Sequence, residues 1–268
     1  MIRKLSTALC ALALMAAAPA QDWQSLDPEN LLVIDTSQGR ILVAMVPAMA
    51  PQSVARVKLL AREGVYDGLQ FHRVIEGFVD QTGNPNNKDG GVSQHPDLPP
   101  EFTFKLKGTD YLPVRASTDA TEGFLGAVPI QTVSGQEAQR SPDGTLRAWG
   151  AYCPGVAGMG RQAGEDTGNS EIFFMRGSSR RLDRDYTVWG KVVAGLEVVR
   201  AIKVGEPPTD PDKMLKVQVA ADMPVTERPR VSILSDRSQA FRDQVRQVRA
   251  ARGADVSICD IERPVKVD

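Results

Sequence analysis

One short stretch of the chain, residues 71–83, brings together a cation, an aromatic ring and a neutral amide, namely Arg73, Phe78 and Gln81. Rotation about a peptide bond is slow because the nitrogen lone pair is delocalised into the carbonyl, which gives a barrier of about 18–20 kcal/mol. In the twisted amide a prolyl nitrogen regains its lone pair, so a donor aimed at it stabilises the transition state and not the planar ground state. Arginine is permanently charged and presents its donors in a rigid fork. These residue types therefore suit catalysis of rotation about bonds that precede proline.

The ring and the amide would complete such a site. An apolar pocket with an aromatic wall such as Phe78 would hold the pyrrolidine ring, and the amide of Gln81 would fix the guanidinium without neutralising it. In an extended strand Arg73 and Ile75 share a face, so a bend at Gly77 is needed to bring the other two side chains beside the arginine. Spacing alone leaves a second interpretation open, in which Arg73 is a surface arginine at a strand edge.

The rest of the sequence excludes several other kinds of site. The only histidines are His72 and His95, too few for a histidine metal cluster or a histidine-based triad. The Gly-x-Ser-x-Gly elbow, the phosphate-binding loop and the Cys-x-x-Cys pair are all missing from the sequence. We therefore predict no metal and no cofactor, and we interpret His72 as a structural histidine packed beneath Arg73 in preference to a proton shuttle.

Short apolar segments typical of strands surround this stretch. Besides a strand over 71–79, the predicted strands lie at 31–35, 41–45, 172–175, 186–189 and 214–219. Helical spacing of apolar residues predicts one helix from Pro51 to a stop at Gly64 and a second helix over 196–202. Many short strands with only two helices predict an all-β barrel or sandwich.

Two segments fall outside this scheme. Residues 107–151 are rich in glycine, serine, threonine, aspartate and proline, which predicts a long, partly structured loop. The C-terminal residues predict a small lobe, with a strand at 231–234, a helix from a cap at Ser235 to a stop at Gly253, and a strand at 256–261. Arginines flank the apolar stripe of that helix, so we expect it to dock on the domain, with a partner-binding face as the alternative.

The first residues have the pattern of a secretory signal peptide. Arg3 and Lys4 precede an apolar run over 5–17 and then Ala18-Pro19-Ala20, so we predict a signal peptide over residues 1–20. The run is shorter than the ~20 residues of a membrane anchor, and we predict a periplasmic or secreted monomer with no membrane span. Loss of the two basic residues takes the formal net charge from -1 to -3, and nothing in the chain favours nucleic acid as a partner.

Cleavage would also remove Cys10 and leave Cys153 and Cys259 in a compartment that permits disulfides. A bridge between them would tie the C-terminal residues to the main domain. Two separate buried thiols are an equal alternative, because cysteine packs as a small apolar residue.

Residues 71–83 resemble the central signature of the cyclophilins. That signature, Phe-His-Arg-Val-Ile-x-Gly-Phe-x-x-Gln-x-Gly, is met at every stated position, and later stretches between 155 and 192 also resemble the family's motifs. The resemblance implies a closed, eight-stranded antiparallel β-barrel capped by two α-helices. On this basis the isomerase-like domain spans 30–222, with an insertion at about 107–151 and a small C-terminal α/β extension over 223–268.

The resemblance also implies roles for individual residues. Arg73 would act on the prolyl nitrogen, and Gln81 would hold it. The residues that would bind substrate are Phe78, Val79, Gly160, Arg161, Phe173, Leu182 and Tyr186. Backbone near Gly160 and Arg161 would pair with the extended substrate chain. Glu171 stands where the family has glutamine, and Arg181 where eukaryotic members carry the tryptophan that hydrogen-bonds cyclosporin, so we expect a different substrate preference and weak binding of that drug.

We therefore predict a peptidyl-prolyl cis-trans isomerase that acts on proline-containing segments of exported proteins and assists their folding. The alternative is a periplasmic chaperone or binding module on the same fold, which would hold such segments with weak catalysis or none. The presence of Arg73, Gln81, Phe78 and Phe173 together favours the enzyme.

Overall fold

The computed structural model of the chain describes residues 22–236 and 238–268, so the predicted signal peptide and Cys10 lie outside the described residues. Its strands are β1 Trp23–Ser25, β2 Leu31–Thr36, β3 Gly39–Met45, β4 Arg73–Ile75, β5 Val79–Thr82, β6 Phe104–Lys107, β7 Leu112–Ala116, β8 Ala120–Leu125, β9 Val128–Val133, β10 Thr145–Gly150, β11 Val156–Met159, β12 Ile172–Met175, β13 Val188–Ala194, β14 Met214–Val219, β15 Val231–Leu234 and β16 Val265–Val267. Its α-helices are α1 Pro51–Arg62, α2 Gly135–Ala138, α3 Leu196–Ala201 and α4 Gln239–Arg252. No helix in this part of the chain has the length and hydropathy to cross a bilayer.

The largest sheet has eight antiparallel strands in the order β14-β2-β3-β13-β11-β12-β5-β4, which confirms the predicted all-β fold. The hairpin predicted at the start of the domain is present as β2 and β3, which pair through Ile34 and Ile41. The outermost strands, β14 and β4, share no ladder among the described residues, and an isolated bridge from Gln70 to Lys213 joins the chain just before each of them. The closed ring of strands that we predicted is therefore not confirmed.

The main core lies between this sheet and the helices α1 and α3. Pro51 occupies the first position of α1, and the chain leaves the helix through Gly64, whose φ is +69°. The apolar residues that α1 buries, against β13 and β14, are Val54, Val57, Leu60 and Ala61. Both predicted helices are confirmed, with α3 ending at Ala201. The strand predicted at 186–189 begins only at Val188.

The single strand predicted over 71–79 is wrong. The structure has two short antiparallel strands, β4 and β5, joined by a turn at 76–78. Gly77 adopts a φ of +68°, a left-handed conformation that glycine takes at no steric cost, and the Phe78 N–H donates to the Ile75 carbonyl oxygen across 3.0 Å to close the turn. The bend expected at Gly77 is therefore present, and it folds the signature into a hairpin.

The loop predicted over 107–151 is also wrong. Residues 104–150 form a five-stranded antiparallel sheet in the order β6-β10-β9-β8-β7, which we call the inserted sheet. The residues that suggested a loop lie in its tight turns, such as Gly126 with a φ of +57° between β8 and β9. The apolar residues scattered through the segment, among them Phe124 and Ile130, are buried in a common interior. The strands are too short for their alternation to stand out from the turn residues.

The C-terminal extension differs in part from the prediction. β15 lies where we predicted it, but Ser238 and not Ser235 caps α4, by accepting a hydrogen bond from the first turn. The strand predicted at 256–261 is wrong, because Ser257 and Asp260 cap a 3-10 turn there and the last strand is β16. β15 pairs with β16 and with β1, an N-terminal strand that we did not predict.

A disulfide joins Cys153 to Cys259, which decides between the two alternatives left by the sequence. It ties the 3-10 turn after α4 to the segment between β10 and β11. α4 lies with its apolar face on the inserted sheet, where the rings of Phe241 and Phe124 meet edge to face with their centroids 5.9 Å apart. The expected docking of this helix is therefore confirmed.

Candidate active site

The hairpin of β4 and β5 sets Arg73 directly opposite Gln81 in the strand register. Nη1 of Arg73 donates a hydrogen bond to Oε1 of Gln81 across 2.7 Å, and Nε donates to Oε2 of Glu206 across 2.8 Å. Nη2 of Arg73 makes no hydrogen bond to the described part of the chain. The partly buried guanidinium is thus held at two nitrogens while its third stays free.

Glu171 determines which way the Gln81 amide points. Nε2 of Gln81 donates to Oε1 of Glu171, and Nδ2 of Asn84 donates to the other oxygen of that carboxylate across 2.5 Å. Because a carboxylate only accepts hydrogen bonds, the amide turns its NH₂ group to Glu171 and its oxygen to Arg73. Burial raises the pKa of Glu171, and the hydrogen bonds from Gln81 and Asn84 oppose that rise.

Arg73 lines a surface cavity of about 370 Å³, which we call the Arg73 pocket. The residues that the sequence assigned to catalysis or substrate binding all line it, and they are Arg73, Phe78, Val79, Gln81, Gly160, Arg161, Phe173, Leu182 and Tyr186. Three further residues complete the lining, and they are Glu171, Arg181 and Asp185. The fold therefore gathers segments that are far apart in the sequence around one arginine.

Aromatic rings form one wall of the Arg73 pocket. The Phe173 ring stacks on Tyr152 and meets Tyr186 edge to face, with its centroid 5.8 Å from each of theirs. Gly158 on β11 lies against this ring, and a Cβ at that position would come within 2.2 Å of it. Strand alternation on β12 turns Phe173 towards the pocket and Phe174 into the main core.

Comparison with known proteins identifies the family of this chain. The model of the family described as cyclophilin type peptidyl-prolyl cis-trans isomerase/CLD matches residues 31–219. The chain belongs to the cyclophilin family. This cyclophilin is a peptidyl-prolyl cis-trans isomerase.

Individual relatives agree with the family assignment. A probable peptidyl-prolyl cis-trans isomerase of Brucella suis is 30% identical over 236 residues, which cover 81% of this cyclophilin and 97% of that protein. Peptidyl-prolyl cis-trans isomerase B of Bacillus subtilis is 32% identical over 167 residues, or 62% of this chain and 85% of that one. The crystal structure of cyclophilin AquaCyp293 from Hirschia baltica is similar with a TM-score of 0.84 at 29% identity, covering 91% of this chain and 93% of that chain.

Two arginines at the rim of the pocket lie against aromatic rings. Cζ of Arg161 lies 4.6 Å from the ring centroid of Tyr186, and its Nη2 donates to Oδ1 of Asp185 across 2.8 Å. Cζ of Arg181 lies 5.0 Å from the ring centroid of Phe78. Because a guanidinium is attracted to the face of an aromatic ring, the positions of the rim arginines depend on the rings that form the pocket walls.

The inserted sheet of this cyclophilin supports the pocket from outside. Leu182 lines the pocket and belongs to the 3-10 helix Arg180–Leu182. Arg180, the first residue of that helix, donates to Glu122 on β8 across 3.0 Å and to Gln131 on β9 across 2.7 Å. None of the described residues 104–150 lines the pocket. The insertion therefore braces one wall and does not form part of the binding surface.

Two residues at the site, Glu206 and Asp185, are absent from the sequence predictions. Glu206 lies 133 positions after Arg73, and an isolated bridge from the residue before it to β4 places it there. No local pattern marks such a residue. Asp185 directly precedes the predicted site residue Tyr186, but nothing in the sequence distinguishes it from an ordinary surface aspartate. Glu171 and Arg181 differ from the residues that the family has at these positions. This difference is the sequence signal that could have placed them at the site.

Proposed function

We propose that this cyclophilin isomerises X-Pro bonds at the Arg73 pocket, with Arg73 and Gln81 as catalytic residues. The observation that carries the proposal is the hydrogen bond of 2.7 Å from Arg73 to Gln81 beside the apolar side chains of Phe78, Phe173 and Leu182 in the Arg73 pocket. The amide orients the guanidinium without cancelling its charge, so the free Nη2 group is available to a prolyl nitrogen.

The pyrrolidine ring of the substrate would enter between Phe78, Phe173 and Leu182. Burial of its apolar surface there is worth roughly 25 cal/mol for each Å² removed from water. Val79 and Tyr186 would bound the same space, so a compact apolar ring such as that of proline suits it. This binding places the preceding amide within reach of Arg73.

Arg73 would act only when the amide twists. The prolyl nitrogen then becomes pyramidal, and its lone pair accepts a hydrogen bond that the planar amide cannot accept. Loss of one such donor from an enzyme costs about 10²–10³ in rate. No covalent bond breaks and no proton is transferred, so the reaction needs neither a cofactor nor a titrating base.

Backbone at Gly160 and Arg161 would pair with the extended substrate chain. The Gly160 N–H already donates to the Glu171 carbonyl oxygen across 2.8 Å. The Gly160 carbonyl and the Arg161 N–H have no backbone partner among the described residues, which leaves them for the substrate. A Cβ at Gly160 would come within 2.2 Å of the Glu171 side chain. The Glu171 side chain therefore occupies the space that a side chain at position 160 would need.

We also propose that the clients are proline-containing segments of exported proteins and that the protein acts as a monomer in the periplasm or outside the cell. The signal-peptide pattern of residues 1–20 supports export. The Cys153–Cys259 disulfide supports the same compartment, since such bonds persist in oxidising environments. We assign the isomerase domain to 30–222 and the extension to 223–268.

The test is the isomerisation rate of a short peptide of the Ala-Pro-Phe type. Arg73→Ala should lower kcat/KM by at least about 100-fold. Arg140→Ala serves as the control, because Arg140 is exposed and does not line the pocket. A wild-type rate no higher than background would favour a binding module with incidental catalysis, and equal rates for wild type and Arg73→Ala would remove Arg73 from the mechanism.

A further inference from the structure

His72, Asp89 and Glu171 meet next to the Arg73 pocket, although they lie on separate segments of the chain. Nε2 of His72 is 3.2 Å from Oδ1 of Asp89 and 3.8 Å from Oε2 of Glu171. One ligand atom from each of the three residues lies within 4.8 Å of the other two. The small number of histidines led us to predict no metal, but it excludes only a site of several imidazoles and not one imidazole with two carboxylates.

The imidazole of His72 is buried as we predicted, but it lacks a hydrogen bond. Only 2% of the side chain is exposed, and neither ring nitrogen has a hydrogen-bond partner among the residues that the structure describes. A buried polar group left unsatisfied costs about 1–3 kcal/mol, so such groups are rare in folded proteins. Nε2 faces two carboxylates, and either a proton or a metal ion on that nitrogen would remove the cost.

The distances from His72 to the two carboxylates suit a transition metal. Zinc binds imidazole nitrogen and carboxylate oxygen at about 2.0–2.2 Å, which places tetrahedral ligand atoms roughly 3.3–3.5 Å apart. The distances of 3.2 and 3.8 Å from His72 bracket that separation. An imidazole ligand also favours Zn²⁺ over Mg²⁺ and Ca²⁺, which prefer oxygen ligands alone.

Asp89 is the exposed member of the three candidate ligands. Its side chain is 70% exposed on the loop after β5, whereas the side chain of Glu171 is 7% exposed. A second cavity, of about 440 Å³, is lined by His72, Asp89 and Lys88, so it lies against the buried imidazole. An ion that enters there would bind His72 and Glu171, which are buried in the fold, and the exposed side chain of Asp89 could move to complete the site.

The surrounding charges permit a bound cation. Asp89 and Glu171 together provide two carboxylates. The cations that line the second cavity are Arg73 and Lys88, and the ion pair of Arg73 with Glu206 across 2.8 Å offsets the charge of the arginine. The two negative charges of the carboxylates therefore balance the charge of a divalent ion. Of the two basic side chains in the cavity, Arg73 is already paired with Glu206.

We propose that His72, Asp89 and Glu171 bind one divalent transition-metal ion, with Zn²⁺ as the ion that fits best and water at the remaining coordination position. Glu171 would bind the ion through Oε2, whose other lone pair accepts the hydrogen bond from Asn84, and keep Oε1 for the hydrogen bond from Gln81. The metal site thus shares a carboxylate with the hydrogen-bond chain that holds Arg73. It goes beyond the isomerisation, which requires no metal.

Calorimetric titration of the chelator-treated whole protein with Zn²⁺ tests this proposal. We expect one ion per chain, and Asp89→Asn should weaken binding by at least about tenfold. Because Asp89 is exposed, this variant should fold as the wild type does, which circular dichroism would verify. Asp119→Asn, at an exposed turn of the inserted sheet, and His95→Gln, at the other histidine, are matched controls that should bind Zn²⁺ as the wild type does.

Magnetic resonance with isotope-labelled histidine identifies the nitrogen that binds. Zn²⁺ should shift the Nε2 resonance of His72 and leave that of His95 in place. No binding of Zn²⁺, an undiminished affinity in Asp89→Asn, or a shift at His95 alone would each overturn the proposal. Because these readouts record binding and not turnover, they stay informative even if the isomerisation assay with Arg73→Ala fails.

Discussion

Glu206 accepts a hydrogen bond from Nε of Arg73 across 2.8 Å, although 133 positions separate the two residues. Gln81 accepts from Nη1 of the same guanidinium. Because the donors of arginine form a rigid planar fork, two acceptors at different nitrogens restrain the whole group. Glu206 does not line the Arg73 pocket. It therefore acts on the arginine and not on the substrate.

Glu206→Ala should lower kcat about threefold to fivefold and leave KM unchanged, because an exposed ion pair contributes at most about 1 kcal/mol. Glu206→Gln keeps an acceptor and should recover part of the loss. Glu227→Ala, at an exposed glutamate of the extension, should match the wild type. Steady-state kinetics on a proline peptide separate the two parameters, and a rise in KM alone would place Glu206 in substrate binding instead.

Arg180→Met should raise KM and change kcat little. Arg180 ties the 3-10 helix that carries Leu182 to Glu122 and Gln131 of the inserted sheet, so its loss frees one wall of the pocket. We expect a rise of about threefold to tenfold, up to roughly 1.4 kcal/mol of binding free energy. Arg140→Met is the matched control. Unchanged kinetics in Arg180→Met would show that the pocket does not need the inserted sheet.

Replacing both Cys153 and Cys259 with alanine should lower the free energy of unfolding by about 2–5 kcal/mol. The bond closes a loop with a sequence separation of 106, so it removes much of the conformational freedom of the unfolded chain. Urea unfolding of the two proteins measures the difference. Mass spectrometry after alkylation, with and without reductant, provides the control, and two free thiols in the oxidised protein would contradict the structure.

Asp80 should make the protein less stable as the pH rises towards 8. It is buried, and although Nη1 of Arg176 donates to it across 2.9 Å, desolvation raises its pKa to about 7. The folded state therefore binds this proton more tightly than the unfolded state, so the contribution is full below about pH 4 and is lost as the pH passes 7. Between pH 5 and 8 the loss is on the order of 2 kcal/mol.

Urea unfolding at several pH values checks this dependence. Asp80→Asn cannot ionise, so its stability should vary less across the same range, while Asp119→Asn should follow the wild type. The contrary result is a free energy of unfolding that, relative to Asp80→Asn, stays constant or rises between pH 5 and 8 in the wild type. It would show that the pairing of Asp80 with Arg176 outweighs the desolvation of Asp80.

Cyclosporin should inhibit this cyclophilin weakly. Arg181 stands at the position where the family resemblance places a tryptophan that hydrogen-bonds the drug, and its guanidinium lies against Phe78. Arg181→Trp should therefore lower the concentration of cyclosporin that halves the isomerisation rate. Tight inhibition of the wild type, or no gain in the variant, would show that this position does not govern drug binding.

Local patterns were sufficient for much of the fold, and the family resemblance supplied most of the lining of the pocket. The hairpin of β2 and β3, the helix α1 and the strand β12 follow from apolar periodicity and turn residues within a few positions of each other. The signature at 71–83 identified Arg73 and Gln81, and family motifs supplied the distant Phe173. Within the signature, the folding of the predicted strand into a hairpin needed the structure, because a turn at Gly77 and a continuous strand have the same alternation of apolar and polar residues.

Only the tertiary structure decided which distant groups meet. The pairing of Cys153 with Cys259, the contact of Glu206 with Arg73 and the approach of Asp89 to His72 join segments that no local pattern relates. The inserted sheet was hidden for a related reason, since its short strands are stabilised by neighbours across the sheet and by α4. The sequence by itself was sufficient to predict Arg73 as the residue for this chemistry, whereas only the packing of distant segments decided what surrounds that arginine.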